Sequence, residues 1–359
     1  MADKKTDAMR GLLGHGLNRR SFLKSVAVAG AAAGTASQFP MPAIAQDKSV
    51  VRLQSFGGAF EEILRGTVIP QFESEHPFKV EFTVEDDTTL LPKLRASRGT
   101  APYDVVTVDN SIAIVGNSLD LWAPDQSANL SNIADVYESC KPPTTANYGS
   151  IIYEYTLIHH NERFPSPKSW KDLWAADIVV GVPHVTQSYG LTFLYLAAML
   201  HGGDENNLDP GFEAIKKLKK YKIYKNVSEG MNLLQQNEID GALFYGHRSQ
   251  QIIDFGLNYS KTTPVEGVWG QHTGSQIPKN TGNLEGAVAW VNNCLSVPYQ
   301  TAFAPKLYSP TNSKVELPPE LAAKHVMGAE RVNAIREINW EAILPQRDAL
   351  IERWTREIG

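Results

Sequence analysis

A two-lobed α/β protein is the fold this sequence predicts, each lobe built on a doubly wound sheet and the two joined by crossover segments. Two observations lead there. Apolar, strand-like runs alternate with helix-like stretches along most of the chain, and such alternation calls for parallel strands with helices on both faces. The chain has 359 residues, of which 314 remain when a first stretch of 45 with a different character is set aside. That exceeds the size at which one hydrophobic core keeps growing, so two domains follow.

The first block opens with an apolar strand, Ser49 to Gln54, then Ser55-Phe56-Gly57-Gly58, then a helix-like stretch from Ala59. A second strand, Lys79 to Val84, precedes a helix from Leu90 to Ser97. A third, Tyr103 to Val108, ends in Asp109-Asn110-Ser111 and leads into a helix from Ile112 to Asn117. In such sheets ligands sit beyond the carboxyl ends of the strands, where Phe56 to Gly58 and Asp109 to Ser111 fall. After a loop rich in proline and threonine around Lys141 to Thr145, Ile151 to Ile158 reads as an extended crossover.

The second block begins with a short capped helix in Ser169 to Trp174, a strand from Ile178 to Val182 and a helix from Ser188 to Leu200. A further helix is expected over Pro210 to Tyr221 and another over Met231 to Asn237. Gly241 to Tyr245 then reads as strand and His247 to Phe255 as helix. Residues 262–282 are rich in glycine, threonine and polar side chains with little periodicity, the expected look of a return crossover. Leu350, Ile351, Trp354 and Ile358 mark an amphipathic helix near the C-terminus.

The first 45 residues have another purpose. Asn18-Arg19-Arg20-Ser21-Phe22-Leu23-Lys24 joins two arginines to a bulky apolar pair and a lysine, and a weakly apolar run follows, Ser25 to Ser37. That run is too short to cross a hydrocarbon core of about 30 Å as a helix, which takes about twenty residues. Ala43-Ile44-Ala45 supplies the small-x-small pattern of a signal peptidase site, so the mature chain is expected to begin at Gln46. The segment resembles a bacterial twin-arginine signal peptide, which implies export to the periplasm.

The formal net charge is -5, and loss of residues 1–45 removes six basic and two acidic residues, leaving about -9. An acidic surface without a basic stripe excludes nucleic acid and anionic membranes as partners. Cys140 and Cys294 stand far apart in sequence, which says nothing of proximity in space. Cys294 lies beside the apolar stripe of Leu284, Ala287, Val288, Val291 and Leu295, which favours a buried, unpaired thiol.

Motifs for chemistry are missing: no Gly-x-Ser-x-Gly, His-Glu-x-x-His, Cys-x-x-Cys or phosphate-binding Gly-Lys-Ser/Thr occurs. No catalytic residue, metal site or cofactor is therefore assigned. An exported enzyme is the competing reading and would draw on His159-His160, His184, His247 or His272. Adjacent histidines in a strand point to opposite faces, so His159 and His160 do not readily share an ion.

Several segments in order carry a resemblance: Ser169 to Trp174 ahead of a short strand, Asp240-Gly241-Ala242-Leu243-Phe244-Tyr245, and Tyr308 with Pro310 and Asn312. Trp340, Ile343, Arg347-Asp348, Glu352-Arg353-Trp354 and Arg356-Glu357-Ile358 complete the set. Together they resemble the periplasmic solute-binding proteins of ABC transporters, most closely the spermidine/putrescine-binding type. The resemblance implies a type II-like clamshell of two lobes, 46–152 with 272–311 and 153–271 with 312–359. It also implies a monomer that captures a small amine-containing solute and delivers it to a permease in the inner membrane. A metal or an organic anion is the alternative ligand.

Carried over position by position, the resemblance makes Phe56 an aromatic contact and Gly57-Gly58 a close backbone approach. Asp109 and Asn110 become polar contacts, and Tyr245 an aromatic wall. Where polyamine binders place carboxylates, this chain has His184, Thr186 and Gln187, and where they place an aromatic and a further carboxylate it has Trp269, Gln271 and His272. A buried ammonium without a counter-charge costs several kcal/mol, and a cation-π contact restores only about 0.5–2. Arg248, at the start of a helix, is the candidate to clamp a carboxylate, which makes an ω-amino acid a natural ligand beside a polyamine.

Overall fold

Residues 49–85, 87–97 and 99–359 are described by a computed structural model, and the export signal expected in residues 1–45 lies outside them. Valine-rich runs form β1 (Val50–Ser55), β2 (Lys79–Val84) and β3 (Val105–Asp109), paired in parallel in the order β2-β1-β3. The run Val105 to Val108 is buried throughout, as a strand covered on both faces requires. Between the strands lie α1 (Ala59–Ile63), continued through a π-helical turn into α2 (Ile69–Glu75), and α3 (Asp87–Ala96). The helix α4 (Asn110–Ser118) follows β3 directly.

The long β4 (Tyr148–His160) leads to a second parallel block made of β5 (Val179–Pro183), β6 (Lys220–Tyr224) and β7 (Gly241–Tyr245), in the order β7-β5-β6. Its helices are α5 (Ser188–Leu200), α6 (Asp209–Lys216), α7 (Val227–Gln235) and α8 (Gly246–Asp254). Then come β8 (Tyr259–Thr262), β9 (Trp269–Gln276), α9 (Leu284–Cys294), α10 (Val297–Phe303), β10 (Ser309–Pro310), α11 (Trp340–Ile343) and α12 (Arg347–Glu357). β9 runs antiparallel to both β3 and β4, and β4 runs antiparallel to β7, so the two parallel blocks are hydrogen-bonded into one sheet through the crossover strands.

One element departs from the sequence reading, and the expected return crossover holds a strand. The helix expected over 210–221 ends at Lys216, and Lys220–Tyr224 is the edge strand β6. Lys220 and Lys222 are exposed while Tyr221 and Ile223 are half-buried, a period of two that overrides the helical look of the lysine-rich run. Lysines on a free edge also deter pairing with another chain. Within the polar stretch 262–282, β9 is a strand buried at all eight positions. Both its faces are covered, so no alternation betrays it in the sequence.

Two large cores result. The first gathers Val51, Leu53, Phe60, Phe72, Trp290 and Phe303, the second Val182, Phe193, Phe212, Phe244, Ile343 and Trp354. The sequence reading places everything after Thr311 with the second lobe, yet Val326, Val332 and Ile335 pack in the first core. Ile338 is the next residue along to join the second. Cys140 and Cys294 are free, buried thiols of the first core. Among the described residues no helix is long and apolar enough to cross a membrane.

Candidate ligand-binding cleft

The carboxyl ends of the strands converge on a cavity of about 620 Å3. From the first half come Phe56, which follows β1, and Asp109, the last residue of β3, with Ser111 and Ile112 from α4. Thr186, Gln187 and Ser188, at the start of α5, and Asn226 face them from the second half. Trp340, Leu344 and Arg347 supply a further wall from α11 to α12. The local sequence explains the entry points. Gly58 turns the chain into α1 at φ 65°, a left-handed backbone that glycine takes without strain. Asp109 stands at the N-cap of α4 in an extended conformation without capping that helix through its side chain, so the carboxylate is directed elsewhere.

Asp109 is the electrostatic centre of the cleft. Burial pushes its pKa up to about 6; the Thr273 hydroxyl and Gln271, which donate to it, oppose the rise, and the charge of Glu337 adds to it. Behind it stands a tyrosine cluster. Tyr245, at the end of β7, packs against Tyr153, Tyr155 and Tyr189 at ring separations of 5.6, 5.3 and 5.1 Å. Burial first, then charges that include Asp109, raises the pKa of Tyr153, Tyr155 and Tyr245, so these rings stay neutral. Across the cavity an Nη of Arg347 donates to the carbonyl oxygen of Thr186 at 3.0 Å, which fixes the guanidinium beside the first turn of α5. A helix N-terminus and a guanidinium side by side favour an anion.

Of the residues expected from sequence, Phe56, Asp109, Thr186 and Gln187 line this one cavity. Gly57 and Gly58 shape the turn beside it. Asn110 is buried and faces the neighbouring space, donating to Glu337 at 2.8 Å. His184 turns away, its Nδ1 paired with the Thr186 hydroxyl at 2.9 Å and its ring 5.8 Å from Trp354. Gln271 stands behind Asp109 and accepts from the Tyr155 hydroxyl at 2.8 Å. His272 is buried against Glu337, to which its Nδ1 donates. Trp269 packs on Tyr195 with ring centroids 5.5 Å apart. Arg248 is absent from the cavity lining and donates to Gln251 at 2.9 Å.

Ser188, Asn226, Trp340 and Arg347 are among the lining residues that sequence reasoning did not assign to the site. Trp340 and Arg347 were visible only as parts of the C-terminal resemblance. His159 bonds Thr262 and His160 packs on Tyr259. Among the described residues no group of three or more histidine, cysteine, aspartate or glutamate side chains is placed to hold a metal.

The family described as bacterial extracellular solute-binding protein matches residues 67–329. An ABC transporter protein from Clostridium perfringens ATCC 13124 shares the fold with a TM-score of 0.77 at 21% identity, over 86% of this chain and all of that one. An ABC transporter substrate-binding protein from Bradyrhizobium japonicum USDA 110 gives 0.72 at 19%, over 87% of this chain and 100% of that one. The structure titled Atu4243-GABA receptor gives 0.70 at 17%, over 85% and 96%. At such identities the likeness is one of fold. No curated protein matches the chain. With the family match covering well over half of its residues, this chain belongs to the bacterial extracellular solute-binding proteins.

Proposed function

We propose that this protein is the periplasmic substrate-binding component of an ABC importer, and that its ligand is a small zwitterion of the ω-amino acid type. One observation carries the ligand class: of the residues lining the 620 Å3 cavity, the charged ones are Asp109 and Arg347, one of each sign. An ammonium fits against Asp109 beside Phe56, and a carboxylate fits the Arg347 guanidinium at the start of α5. A diamine satisfies Asp109 at one end and brings its second charge toward Arg347, an arrangement that costs several kcal/mol when buried. The neutral Thr186, Gln187 and Ser188 offer no second carboxylate. The name of the GABA receptor of similar fold agrees with this ligand class.

The importer role rests on the family and on the names of the similar structures. In this reading the first core and the second core are two lobes that close over the solute by hinge motion about β4, β9 and the 335–338 segment. The protein works as a monomer, releases the solute unaltered to an inner-membrane permease, and performs no chemistry.

A thermal-shift panel of 4-aminobutanoate, putrescine, spermidine and simple carboxylates tests the ligand class. A true ligand at 100 times its Kd adds about 2.7 kcal/mol of stability. Arg347→Met should lower 4-aminobutanoate affinity at least about tenfold while leaving putrescine unchanged or improved. Tighter binding of putrescine than of 4-aminobutanoate by the wild type would overturn the zwitterion reading. For export, Arg19→Lys with Arg20→Lys should strand the precursor in the cytoplasm, and an unchanged periplasmic yield would refute the twin-arginine assignment.

A further inference from the structure

Glu337 lies where the chain passes from the first core at Ile335 to the second at Ile338. Its carboxylate is only 11% exposed and receives hydrogen bonds from four donors. Oε2 accepts from Asn110 Nδ2 and from Trp340 Nε1, both at 2.8 Å. Oε1 accepts from the backbone N–H of His272 at 2.7 Å and from His272 Nδ1. The donors come from three elements: the start of α4, the strand β9, and α11. Asn110 is the residue after Asp109, and its own Oδ1 accepts from the Ala146 N–H at 2.7 Å. Trp340 forms part of the opposite wall of the ligand cavity.

We infer that Glu337, which does not itself line the ligand cavity, is a positioning residue that holds its two walls in register by tying Asn110, next to Asp109, to the Trp340 indole. The inference rests on the reading of that cavity as the solute site. The indole bond is not incidental to burial, because three other buried tryptophans, Trp170, Trp269 and Trp354, leave Nε1 without a partner. Charge supports the same role. Burial opposes an ion on either group, yet its contacts with Cys140 and Glu337 raise the His272 pKa to about 10, and Glu337 is held below the usual carboxylate range. The carboxylate is needed in full: both oxygens accept two bonds. A glutamine of equal volume accepts at one end and turns an NH2 onto a pair of donors at the other, whichever way it lies.

The test uses the mature protein labelled with 5-fluorotryptophan, the Trp340 resonance being assigned with Trp340→Phe. In ligand-free Glu337→Gln that resonance should shift or broaden while those of Trp174 and Trp290, which pack on Phe193 and Phe72 inside the two cores, stay in place. Titration with 4-aminobutanoate should show affinity reduced by roughly ten- to a hundredfold, with Glu337→Asp recovering part of it. An unmoved Trp340 resonance overturns the inference, and so does a moved resonance with unchanged affinity. If wild type does not bind 4-aminobutanoate, the ligand class is wrong, and the fluorine spectrum alone then supports or overturns the role of Glu337. Should Glu337→Gln fail to fold, β-(3-benzothienyl)alanine in place of Trp340 keeps a bicyclic ring in the cavity wall and exchanges only the N–H for sulfur; roughly tenfold weaker binding is expected, and unchanged affinity overturns the inference.

Discussion

Asp109→Asn should weaken ligand binding by roughly two to nearly four decades while making the ligand-free protein more stable above pH 6. The first effect follows from the partnership of a buried carboxylate with a ligand ammonium, whose loss typically costs about 3–5 kcal/mol. The second follows from linkage. In the free protein the carboxyl titrates at about 6 because it is buried, against about 3.9 in an unfolded chain. Between those values the folded state keeps a proton that the unfolded state has released, so stability falls as pH rises from about 4 to about 6 and stays lower beyond. Asparagine has no charge to bury and keeps the extended N-cap position of α4. Urea denaturation from pH 4 to 8 should show wild type and variant diverging across that window. Parallel curves would exclude a buried ionised Asp109. A bound ammonium stabilises the carboxylate, so the affinity of wild type should decline as pH drops through about 6, and calorimetric titration at pH 5 and pH 7.5 checks that directly.

Asp104→Ala should cost about 3–5 kcal/mol of stability, a large part of the roughly 5–15 kcal/mol typical of a folded protein, with little direct effect on ligand contacts. Its carboxylate is 1% exposed and forms the hub of the first half. It accepts from Arg52 through the backbone N at 2.9 Å, Nε at 3.0 Å and Nη2 at 2.8 Å. On the other side it accepts from the Thr281 hydroxyl at 2.7 Å and from the N–H groups of Gly282 and Asn283 at 3.1 and 3.2 Å. β1 is thereby tied to the entry of α9. Burial opposes the charge, but the bonds from Arg52 and Thr281 outweigh it and hold the pKa below the usual aspartate value. The stabilisation is therefore present above about pH 4 and lost as the pH falls through the lowered folded-state value. Denaturation at neutral pH measures the loss; a change under about 1 kcal/mol would mean that water replaces these bonds, as at an exposed ion pair.

The sequence by itself determined the parts of this protein that depend on local periodicity. The strand Gly241 to Tyr245 and the helix Ser188 to Leu200 fall where their apolar patterns put them, and the carboxyl ends of β1 and β3 present Phe56 and Asp109 to the cleft. Composition and spacing record which face of an element is buried, and the α/β alternation follows from that. They do not record what covers the face. β9 escaped notice because neighbours cover both of its sides, and β6 because a lysine-rich edge strand has the composition of a solvated helix. The same limit applied to charge. Arg248 and Arg347 look alike as arginines at helix starts, and only packing decided between them: Gln251, one turn along the same helix, holds Arg248, whereas the distant carbonyl of Thr186 draws Arg347 into the wall of the cleft. Glu337 and His272 likewise meet only because β9 and the 335–338 segment cross between the two cores. A hydrogen bond between residues remote in sequence has no local signal, since it exists only after the elements that carry them have packed.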